Sequence, residues 1–265
     1  MKNYFKILGI IFFVAGQLLI AQTKINVLSY NIRHGEGTDN KIDLIRIAEI
    51  IKSVNADFVG LQEVDKGVER TGGIDLADSL AKLTGMHSVF YKNISFQGGE
   101  YGNAILSKHK ILSDTNYHYK MLNNNEQRGL LVAKVLFNSD TLYFMNTHID
   151  YRKEDTERLL NMGQLKEICS TLPNYPIILC GDFNDSPHSN TIKSISECFT
   201  DVSTINKLLT FSSDKPEVKI DYILVRDNDN NSLIKSKIRP ISVKTIQSLA
   251  SDHLPIFTEL IFTKL

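Results

Sequence analysis

The stretch IILCGDFNDSP, residues 177–187, determines how the rest of the chain is interpreted. Four apolar residues lead without a break into Gly181, and Asp182, Asn184 and Asp185 then follow within four positions. Asp, Asn, Gly and Pro are the common residues of turns, so this stretch by itself also fits an ordinary loop. The alternative is a buried strand whose end carries polar groups at a ligand site, and further strands of this kind would favour it.

Several other apolar segments also end in a polar residue. The strand-like segments INVLSY (25–30) and FVGLQ (58–62) are followed by Asn31 and Glu63. A carboxylate inside the apolar run KIDYILV, Asp221, needs a partner if that run is a buried strand. Further polar side chains at or beside predicted strand ends are His148, Asp252 and His253. We therefore expect these residues to meet at the rim of a sheet scaffold.

Helical and strand-like periodicity alternate along the chain. Apolar residues recur at helical spacing over residues 42–54, 74–83 and 154–171, and a helical stretch is predicted near 189–199. Hairpin-linked strands fill residues 88–149, and further strands are predicted at 177–182, 219–225, 233–243 and 254–262. This pattern predicts an α/β (α+β) fold with two mixed β-sheets packed face to face and helices outside, a four-layer α/β/β/α sandwich.

Composition indicates one globular domain, predicted at residues 22–265. Of the 265 residues 42% are hydrophobic and 23% charged, which is typical of a folded protein rather than a disordered one. No Pro/Gly/Ser-rich linker divides the chain.

The first 21 residues have the pattern of a secretory signal peptide. Lys2 and Lys6 precede an apolar run over residues 7–20 that is too short for a comfortable membrane span. Leu19 at the −3 position makes the cleavage site imperfect, so an uncleaved N-terminal anchor is the alternative. We expect an exported protein, periplasmic or secreted.

The charge balance gives little support to a protein that binds long nucleic acids. The chain has 30 Lys+Arg and 30 Asp+Glu, and without residues 1–21, which contain Lys2 and Lys6 and no acid, 28 and 30 remain. Binding to long DNA mainly through phosphates normally requires a basic surplus. A local basic cleft within a balanced total is the alternative.

The three cysteines suggest no metal or redox motif. Cys169, Cys180 and Cys198 show no C-x-x-C spacing. Cys180 lies in an apolar strand and is expected to pack as a small hydrophobic residue. Whether Cys169 and Cys198 form a disulfide in an oxidising compartment is left open by the sequence.

Eight ordered blocks, spread over nearly the whole chain after residue 21, carry a family resemblance. They are LSYNIRHG (28–35), GLQEVD (60–65), YGNAILS (101–107), QRGLL (127–131), NTHID (146–150), GDFND (181–185), KIDYILV (219–225) and SDHLP (251–255). Together they resemble the endonuclease/exonuclease/phosphatase superfamily, which includes DNase-I-like nucleases, exonuclease-III-type repair enzymes, neutral sphingomyelinases and inositol-polyphosphate phosphatases. The resemblance implies a DNase-I-like sandwich fold.

The resemblance also implies catalytic roles for five residues. His253 would be the general base that deprotonates the attacking water, with Asp221 as its orienting partner. His148 would contact the phosphate or donate a proton to it. Asp182 and Asn184 would orient the nucleophilic water and stabilise the transition state.

A hard metal ion and a phosphate-binding set follow from the same resemblance. Glu63 would be the principal metal ligand, assisted by Asn31 and Asp252, and oxygen ligands suit Mg²⁺, with Mn²⁺ or Ca²⁺ as alternatives. The phosphate-binding residues would be Arg33, Arg128, Tyr101 and Asn103. Arg33 replaces an acid of the repair enzymes, so a second metal there is in doubt. Surface or structural ion pairs are the alternative for both arginines.

Substrate class must come from features outside the shared catalytic set. The blocks are most similar to a branch of exported bacterial proteins that also contains the C-terminal domain of a eukaryotic glycosylphosphatidylinositol-anchor remodelling protein. This favours a phosphodiesterase for a small-molecule or lipid-head-group phosphoester, the latter with peripheral membrane contact. We expect a monomer, although the sequence itself does not address the oligomeric state. A secreted DNase-I-like endonuclease acting on nucleic acid is the alternative, and a catalytically silent binding module is the second.

Overall fold

The computed structural model describes residues 22–122, 125–203, 208–228 and 236–264. These residues form four α-helices and twelve strands. The strands are β1 (Gln22–Asn31), β2 (Phe58–Lys66), β3 (His87–Phe96), β4 (Gly99–Ser107), β5 (Ile111–His118), β6 (Gly129–Phe137), β7 (Asp140–His148), β8 (Ile177–Asp182), β9 (Thr200–Asp201), β10 (Asp221–Arg226), β11 (Ser236–Thr245) and β12 (Ile256–Lys264). The helices are α1 (Leu44–Ser53), α2 (Leu76–Thr84), α3 (Thr156–Thr171) and α4 (Asn190–Ser196).

Two predicted features fall on residues outside this part of the chain. The predicted signal peptide, residues 1–21, lies wholly outside the described residues, as do the first three positions of the predicted strand 233–243. Among the helices of the described part, none combines the length and the apolar character that a membrane crossing requires.

The strands form two six-stranded mixed sheets. The first sheet has the order β11-β12-β1-β2-β4-β3, and the second has the order β5-β6-β7-β8-β10-β9. The β1–β2 and β7–β8 pairs are parallel, whereas their other neighbours pair in antiparallel orientation. α1 and α3 provide the crossover connections that parallel neighbours require.

Three apolar cores separate four layers, as the sequence predicted. Ile25 and Phe58 of the first sheet and Phe144 and Ile178 of the second share the core between the sheets. A second core joins the outer face of the first sheet to α1 and α2. A third joins the outer face of the second sheet to α3 and α4. Helices therefore cover both outer faces, and the rims of the sheets are where polar groups can converge.

Capping residues set where the helices begin. The carboxylate of Asp43 accepts hydrogen bonds from the backbone N–H groups of Ile45 and Arg46, and Asp43 itself is extended. The first helix therefore starts at Leu44 rather than at residue 42 as the apolar spacing predicted. Asp75 caps α2 in the same manner, which shifts its start from residue 74 to Leu76.

A β-bulge interrupts the strand that carries Glu63. Leu61 pairs with Ala104 and Val64 with Gly102, so Gln62 and Glu63 together oppose one residue of β4. Glu63 has a φ of 57°, in the left-handed region. Strict alternation would place Glu63 beside Leu61 on the helix-covered face, but Val64 occupies that face instead. The predicted strand 58–62 thus continues through Glu63 to Lys66, and the bulge redirects the Glu63 carboxylate.

The two sheets approach closely at Gly60, which allows a test of their packing. A Cβ atom on Gly60 would lie 2.7 Å from Cβ of Cys180 and 3.1 Å from Oδ1 of Asn146. We expect Gly60→Ala to lower the free energy of unfolding by about 1–3 kcal/mol through overpacking, as measured by urea denaturation.

Gly163 in α3 provides the matched control for this substitution. It is exposed, and a Cβ atom there would meet nothing within 4 Å. Gly163→Ala should therefore raise the free energy of unfolding by about 0.5–1 kcal/mol through helix propensity. A neutral Gly60→Ala would contradict the close contact between the sheets at this position.

The cysteines are all free thiols. Cys180 is fully buried in the core between the sheets, as predicted from its apolar strand. Cys169 is buried against Met145, at 3.9 Å between the sulfur atoms, whereas Cys198 is exposed. The pairing of Cys169 with Cys198 that the sequence left open is not formed.

Candidate active site

Three predicted catalytic residues lie in one row across the second sheet. His148 of β7 pairs in register with Asp182 of β8, and Asp182 pairs with Asp221 of β10. His253, in the loop before β12, completes the group. Its Nδ1 lies 3.0 Å from Oδ2 of Asp221, and its Nε2 lies 3.7 Å from Oδ2 of Asp182. All four side chains are buried.

The ligand atoms of Asp182, Asp221 and His253 lie within 4.8 Å of one another, which is also compatible with a metal. The geometry favours proton transfer, however, because both Asp221 oxygens face Nδ1 of His253, at 3.0 and 3.2 Å. In addition, the amide N–H₂ of Asn31 donates to Asp182 at 3.0 Å, so a donor already occupies the middle of the group. We interpret Asp221–His253 as an oriented acid–base pair.

The buried acids determine the protonation of His253. Burial of the ring lowers the pKa of His253, but the carboxylates of Asp221 and Asp182 raise it by more, to about 10. Burial and the nearby Asp221 carboxylate raise the pKa of Asp182 to about 7. His253 thus carries a proton at neutral pH, and it can act as a base only in the fraction of molecules that has released this proton.

We expect Asp221→Asn to shift the pH–rate profile in a defined direction. The Asp221 charge raises the pKa of both His253 and Asp182, so its removal should move the rising limb of kcat to lower pH. Loss of the orienting carboxylate should at the same time lower the maximal kcat by roughly 10²–10⁴-fold. The profile is measured at fixed, saturating Mg²⁺, and a limb that stays in place or moves to higher pH would contradict the assigned pair.

Asn31 joins the acid–base group to the Glu63 carboxylate. Its Nδ2 donates to Oε1 of Glu63 at 2.9 Å and to Oδ2 of Asp182 at 3.0 Å. Its Oδ1 accepts the backbone N–H of Arg33 at 3.1 Å. Asn31 therefore presents its nitrogen to Glu63, and the predicted role as an oxygen ligand would require the amide to turn over. As placed, Asn31 bridges the two sheets at their common rim.

Glu63 and Asp252 fit a hard divalent cation. Burial raises the pKa of Glu63, an effect only partly offset by the hydrogen bond from Asn31 and the charge of His253. A buried carboxylate with a raised pKa is stabilised by a nearby cation. The charge of Asp252 also raises the pKa of Glu63. The carboxylate of Asp252 is itself partly exposed. Carboxylate oxygens of this kind are ligands that Mg²⁺ prefers.

Arg33 is engaged by acids in the structure. Its guanidinium lies 3.3 Å from Oε1 of Glu36 and 3.8 Å from Oδ2 of Asp252. Arg33 has a φ of 43° and begins a short 3₁₀ turn two residues after Asn31. Arg33 therefore forms the ion pairs that the sequence left open as the alternative to phosphate binding. The proximity to Asp252 still keeps Arg33 beside the predicted metal ligands.

Two predicted phosphate-binding residues carry buried polar atoms without a partner. Asn103 of β4 is 1% exposed, and neither its Nδ2 nor its Oδ1 has a hydrogen-bond partner among the described residues. Arg128 is 3% exposed; one of its terminal nitrogens pairs with Glu126 at 3.0 Å, and its Nε has no partner in the same part of the chain. Because buried donors are normally satisfied, this is the pattern of a site built to bind an anion.

The positive charge of Arg128 lowers the pKa of both Tyr101 and His148. Burial and the Glu63 charge raise the pKa of Tyr101 well above its ordinary value, with Arg128 opposing. Burial, together with the positive charges of Arg128 and His253, lowers the pKa of His148 well below its usual range. Tyr101 and His148 are therefore neutral hydrogen-bonding groups, which is compatible with the predicted contact to phosphate.

The polar residues of the GDFND loop point in two different directions. Oδ1 of Asp182 accepts the backbone N–H of Asn184 at 2.9 Å, and Nδ2 of Asn184 donates to the carbonyl of Ile149 at 3.2 Å. Asp185, in contrast, turns away and accepts a hydrogen bond from Nε of Arg158 at 3.0 Å. The loop therefore keeps Asp182 and Asn184 at the rim, whereas Asp185 pairs with a residue of α3.

The structure adds two residues that the sequence interpretation missed. Phe211 places its ring 4.9 Å from the imidazole of His253. Arg70 pairs with the fully buried Asp65 at 2.7 Å, and its guanidinium lies 5.6 Å from the ring centre of Tyr101. The other site residues were predicted as polar residues at strand ends. Arg70 lies in a 3₁₀ turn and Phe211 is apolar, so neither fits that pattern.

The fold and the site identify the class of protein. The chain belongs to the Endonuclease/Exonuclease/phosphatase family, whose model matches residues 28–253. Members of this family are phosphoester hydrolases and generally use divalent metals, so the chain is a metal-dependent phosphoric ester hydrolase. The resemblance to the superfamily, the sandwich fold and the enzyme class predicted from the sequence are confirmed.

Individual relatives differ in what they act on. A 5'-tyrosyl-DNA phosphodiesterase of Caenorhabditis elegans is 28% identical over 176 residues, which cover 61% of this chain and 43% of the relative. The chain thus spans less than half of this curated relative. A mannosyl-6-phosphatase of Bacteroides thetaiotaomicron has a TM-score of 0.72 at 17% identity, covering 89% of this chain and 99% of the other. D. rerio TDP2 complexed with a single-strand DNA product has a TM-score of 0.67 at 20% identity, with 90% and 99% covered.

Proposed function

We propose that this chain is an exported phosphodiesterase that hydrolyses a small-molecule or lipid-head-group phosphoester with the help of a divalent cation. The observation that carries the proposal is the convergence at one rim of the sandwich of the buried Arg128, whose Nε has no partner in the described part of the chain, with His148 and the oriented Asp221–His253 pair. Export rests on the signal pattern of residues 1–21 alone.

Each acid–base residue has a defined role in this proposal. His253, held by Asp221 through Nδ1, accepts the proton of the attacking water at Nε2. Asp182 lies beside Nε2, at 3.7 Å, where it orients the water and stabilises the imidazolium that forms. His148, which stays neutral, donates a hydrogen bond to a phosphoryl oxygen.

The remaining residues hold the phosphate and the cation. Arg128 and Asn103 donate to phosphoryl oxygens, where fixed donors stabilise the charge that develops in the transition state. Glu63 and Asp252 would hold the divalent cation, and Mg²⁺ suits their oxygen atoms. When bound, such an ion polarises the phosphoryl oxygen and neutralises charge on the leaving oxygen.

The charge balance favours a small substrate over a nucleic acid. The segment after residue 21 has a slight acidic excess, whereas phosphate-driven binding of long DNA normally requires a basic surplus. The fold does not separate the two substrate classes, since the mannosyl-6-phosphatase and the DNA-bound TDP2 both share it over 99% of their chains. The sequence relationship to a tyrosyl-DNA phosphodiesterase supports the alternative of a nuclease-type phosphodiesterase.

Parallel assays of the purified protein separate these substrates. Release of p-nitrophenol from bis-p-nitrophenyl phosphate is compared with nicking of supercoiled plasmid, each with Mg²⁺ or EDTA and each with wild type and His253→Ala. Turnover of the model diester beside an intact plasmid is the expected result. Plasmid nicking abolished by EDTA and by His253→Ala would instead establish the nuclease alternative. Absence of turnover in both assays would contradict a phosphodiesterase.

A further inference from the structure

Tyr151 is an exposed aromatic ring beside Arg128. Its side chain is 64% exposed, more than any other large hydrophobic side chain in the described part of the chain. The ring centre nevertheless lies 5.9 Å from the guanidinium carbon of Arg128, which is buried. One face of the ring is thus near a residue that binds phosphate in the proposed function, while much of the ring is open to solvent.

The main chain on both sides of Tyr151 is firmly held. Asp150, which is 1% exposed, accepts hydrogen bonds from Nε and Nη2 of Arg152, at 2.8 and 2.6 Å. The buried Arg158 donates through Nη1 to the carbonyls of Asp150 and Arg152, the two neighbours of Tyr151. The backbone N–H of Ile149 also bonds to the carbonyl of Asp182 at 3.1 Å.

These contacts distinguish Tyr151 from an ordinary exposed side chain. Buried charges fix its backbone relative to Arg128 and Asp182, although burial of its own ring contributes little to folding. An aromatic ring displayed on a fixed backbone loses little conformational entropy when a ligand packs on it. Such an arrangement is typical of a residue that recognises the substrate.

We propose that Tyr151 is the specificity-determining platform of the site and that it stacks on a saturated, hydroxylated ring, a sugar or a cyclitol, esterified to the phosphate. This inference rests on the proposed function, because it places the phosphate at Arg128 and Asn103. The C–H bonds on the face of such a ring are electropositive and pack on the electronegative face of an aromatic ring.

The surroundings of Tyr151 favour a hydroxylated ring over an acyl chain or a nucleic acid. The four residues that follow it, residues 152–155, are all charged and offer hydrogen-bonding groups rather than an apolar wall. Strand binding would instead use successive stacking platforms along a basic groove, and the overall charge shows no basic surplus.

The experiment compares matched substrates that differ only in the ring. Glycerophosphoinositol is paired with glycerophosphoglycerol, and glucose 6-phosphate with glycerol 3-phosphate; a dinucleoside monophosphate represents nucleic acid. Hydrolysis by the wild-type protein, Tyr151→Ala and Tyr151→Phe is followed by ³¹P NMR with Mg²⁺. Thermal melting confirms that each variant is folded, which the exposure of the side chain leads us to expect.

The measured quantity is the ratio of kcat/KM for the ring compound to that for its acyclic partner. We expect wild type and Tyr151→Phe to favour the ring compound, and Tyr151→Ala to lower this ratio about tenfold. An equal loss on both members of a pair would overturn the platform while leaving the proposed function intact. A Tyr151→Ala loss confined to the dinucleotide would overturn the sugar or cyclitol assignment. No hydrolysis of any of the five compounds would overturn the proposed function and the platform with it.

Discussion

His253→Ala should lower kcat by roughly 10²–10⁴-fold, the contribution of a positioned general base. Nε2 of His253 faces the site beside Asp182, and Nδ1 is held by Asp221, so the substitution removes the oriented imidazole that would receive the proton. KM should change much less, because the phosphate contacts of Arg128 and Asn103 remain. The measurement is steady-state hydrolysis of bis-p-nitrophenyl phosphate at saturating Mg²⁺, above neutral pH.

Two controls make this result specific. His87 lies exposed on β3, and His87→Ala should leave kcat unchanged within about twofold. The double variant Asp221→Asn/His253→Ala should be little slower than His253→Ala alone, since Asp221 acts through His253. Additive losses, or a His253→Ala enzyme with nearly full activity, would contradict the assignment of His253 as the base.

Glu63→Gln should abolish most metal-dependent activity and at the same time stabilise the metal-free protein. We expect kcat to fall at least about 100-fold, because polarisation by a bound metal contributes several kcal/mol. Glutamine keeps the size of the side chain but removes a carboxylate whose pKa burial raises. In EDTA at pH 7 to 8, the melting temperature of Glu63→Gln should therefore exceed that of the wild type.

The pH dependence of this stability difference has a defined sign. A carboxyl group whose pKa is raised on folding penalises the folded state above its unfolded pKa, and the penalty vanishes as pH falls below that value. The advantage of Glu63→Gln in EDTA should thus disappear in acid.

Mg²⁺ should reverse the order of stability. At 100 times its Kd, a bound ion stabilises the wild type by about 2.7 kcal/mol, or roughly 5–10 °C in Tm, whereas Glu63→Gln should not respond. An equal Mg²⁺ shift in both proteins would exclude Glu63 as a principal ligand.

Polar residues at the ends of buried strands were the part of the site that the sequence could predict. Asn31 and Asp182 are the last residues of β1 and β8, Asp221 is the first residue of β10, and parallel or antiparallel pairing brings such ends to one rim. The run around Asp221 also predicted a partner for that carboxylate, which His253 provides at 3.0 Å. The four-layer architecture followed in the same way from alternating helix and strand periods.

The features that the sequence did not reveal depend on register and on distant contacts. Glu63 lies inside β2 rather than at its end, because the bulge opposite Asn103 adds a residue that no local pattern announces. Asp185 resembles Asp182 in the sequence, yet only the position of Arg158 on α3 decides that it turns away. Phe211 reaches His253 from a loop 42 positions earlier in the chain, where hydrophobicity alone gives no indication of a role.

The pairing of β1 with β12 has a consequence for a truncated chain. Asn31 and His253 are separated by 222 positions, and their strands become neighbours only when β12 docks beside β1. A chain that stops before residue 253 still contains Glu63, Arg128 and Asp221, but it lacks both His253 and the strand that pairs with β1. We therefore expect such a truncation to remove the proposed base and to leave β1 without its antiparallel neighbour at the same time.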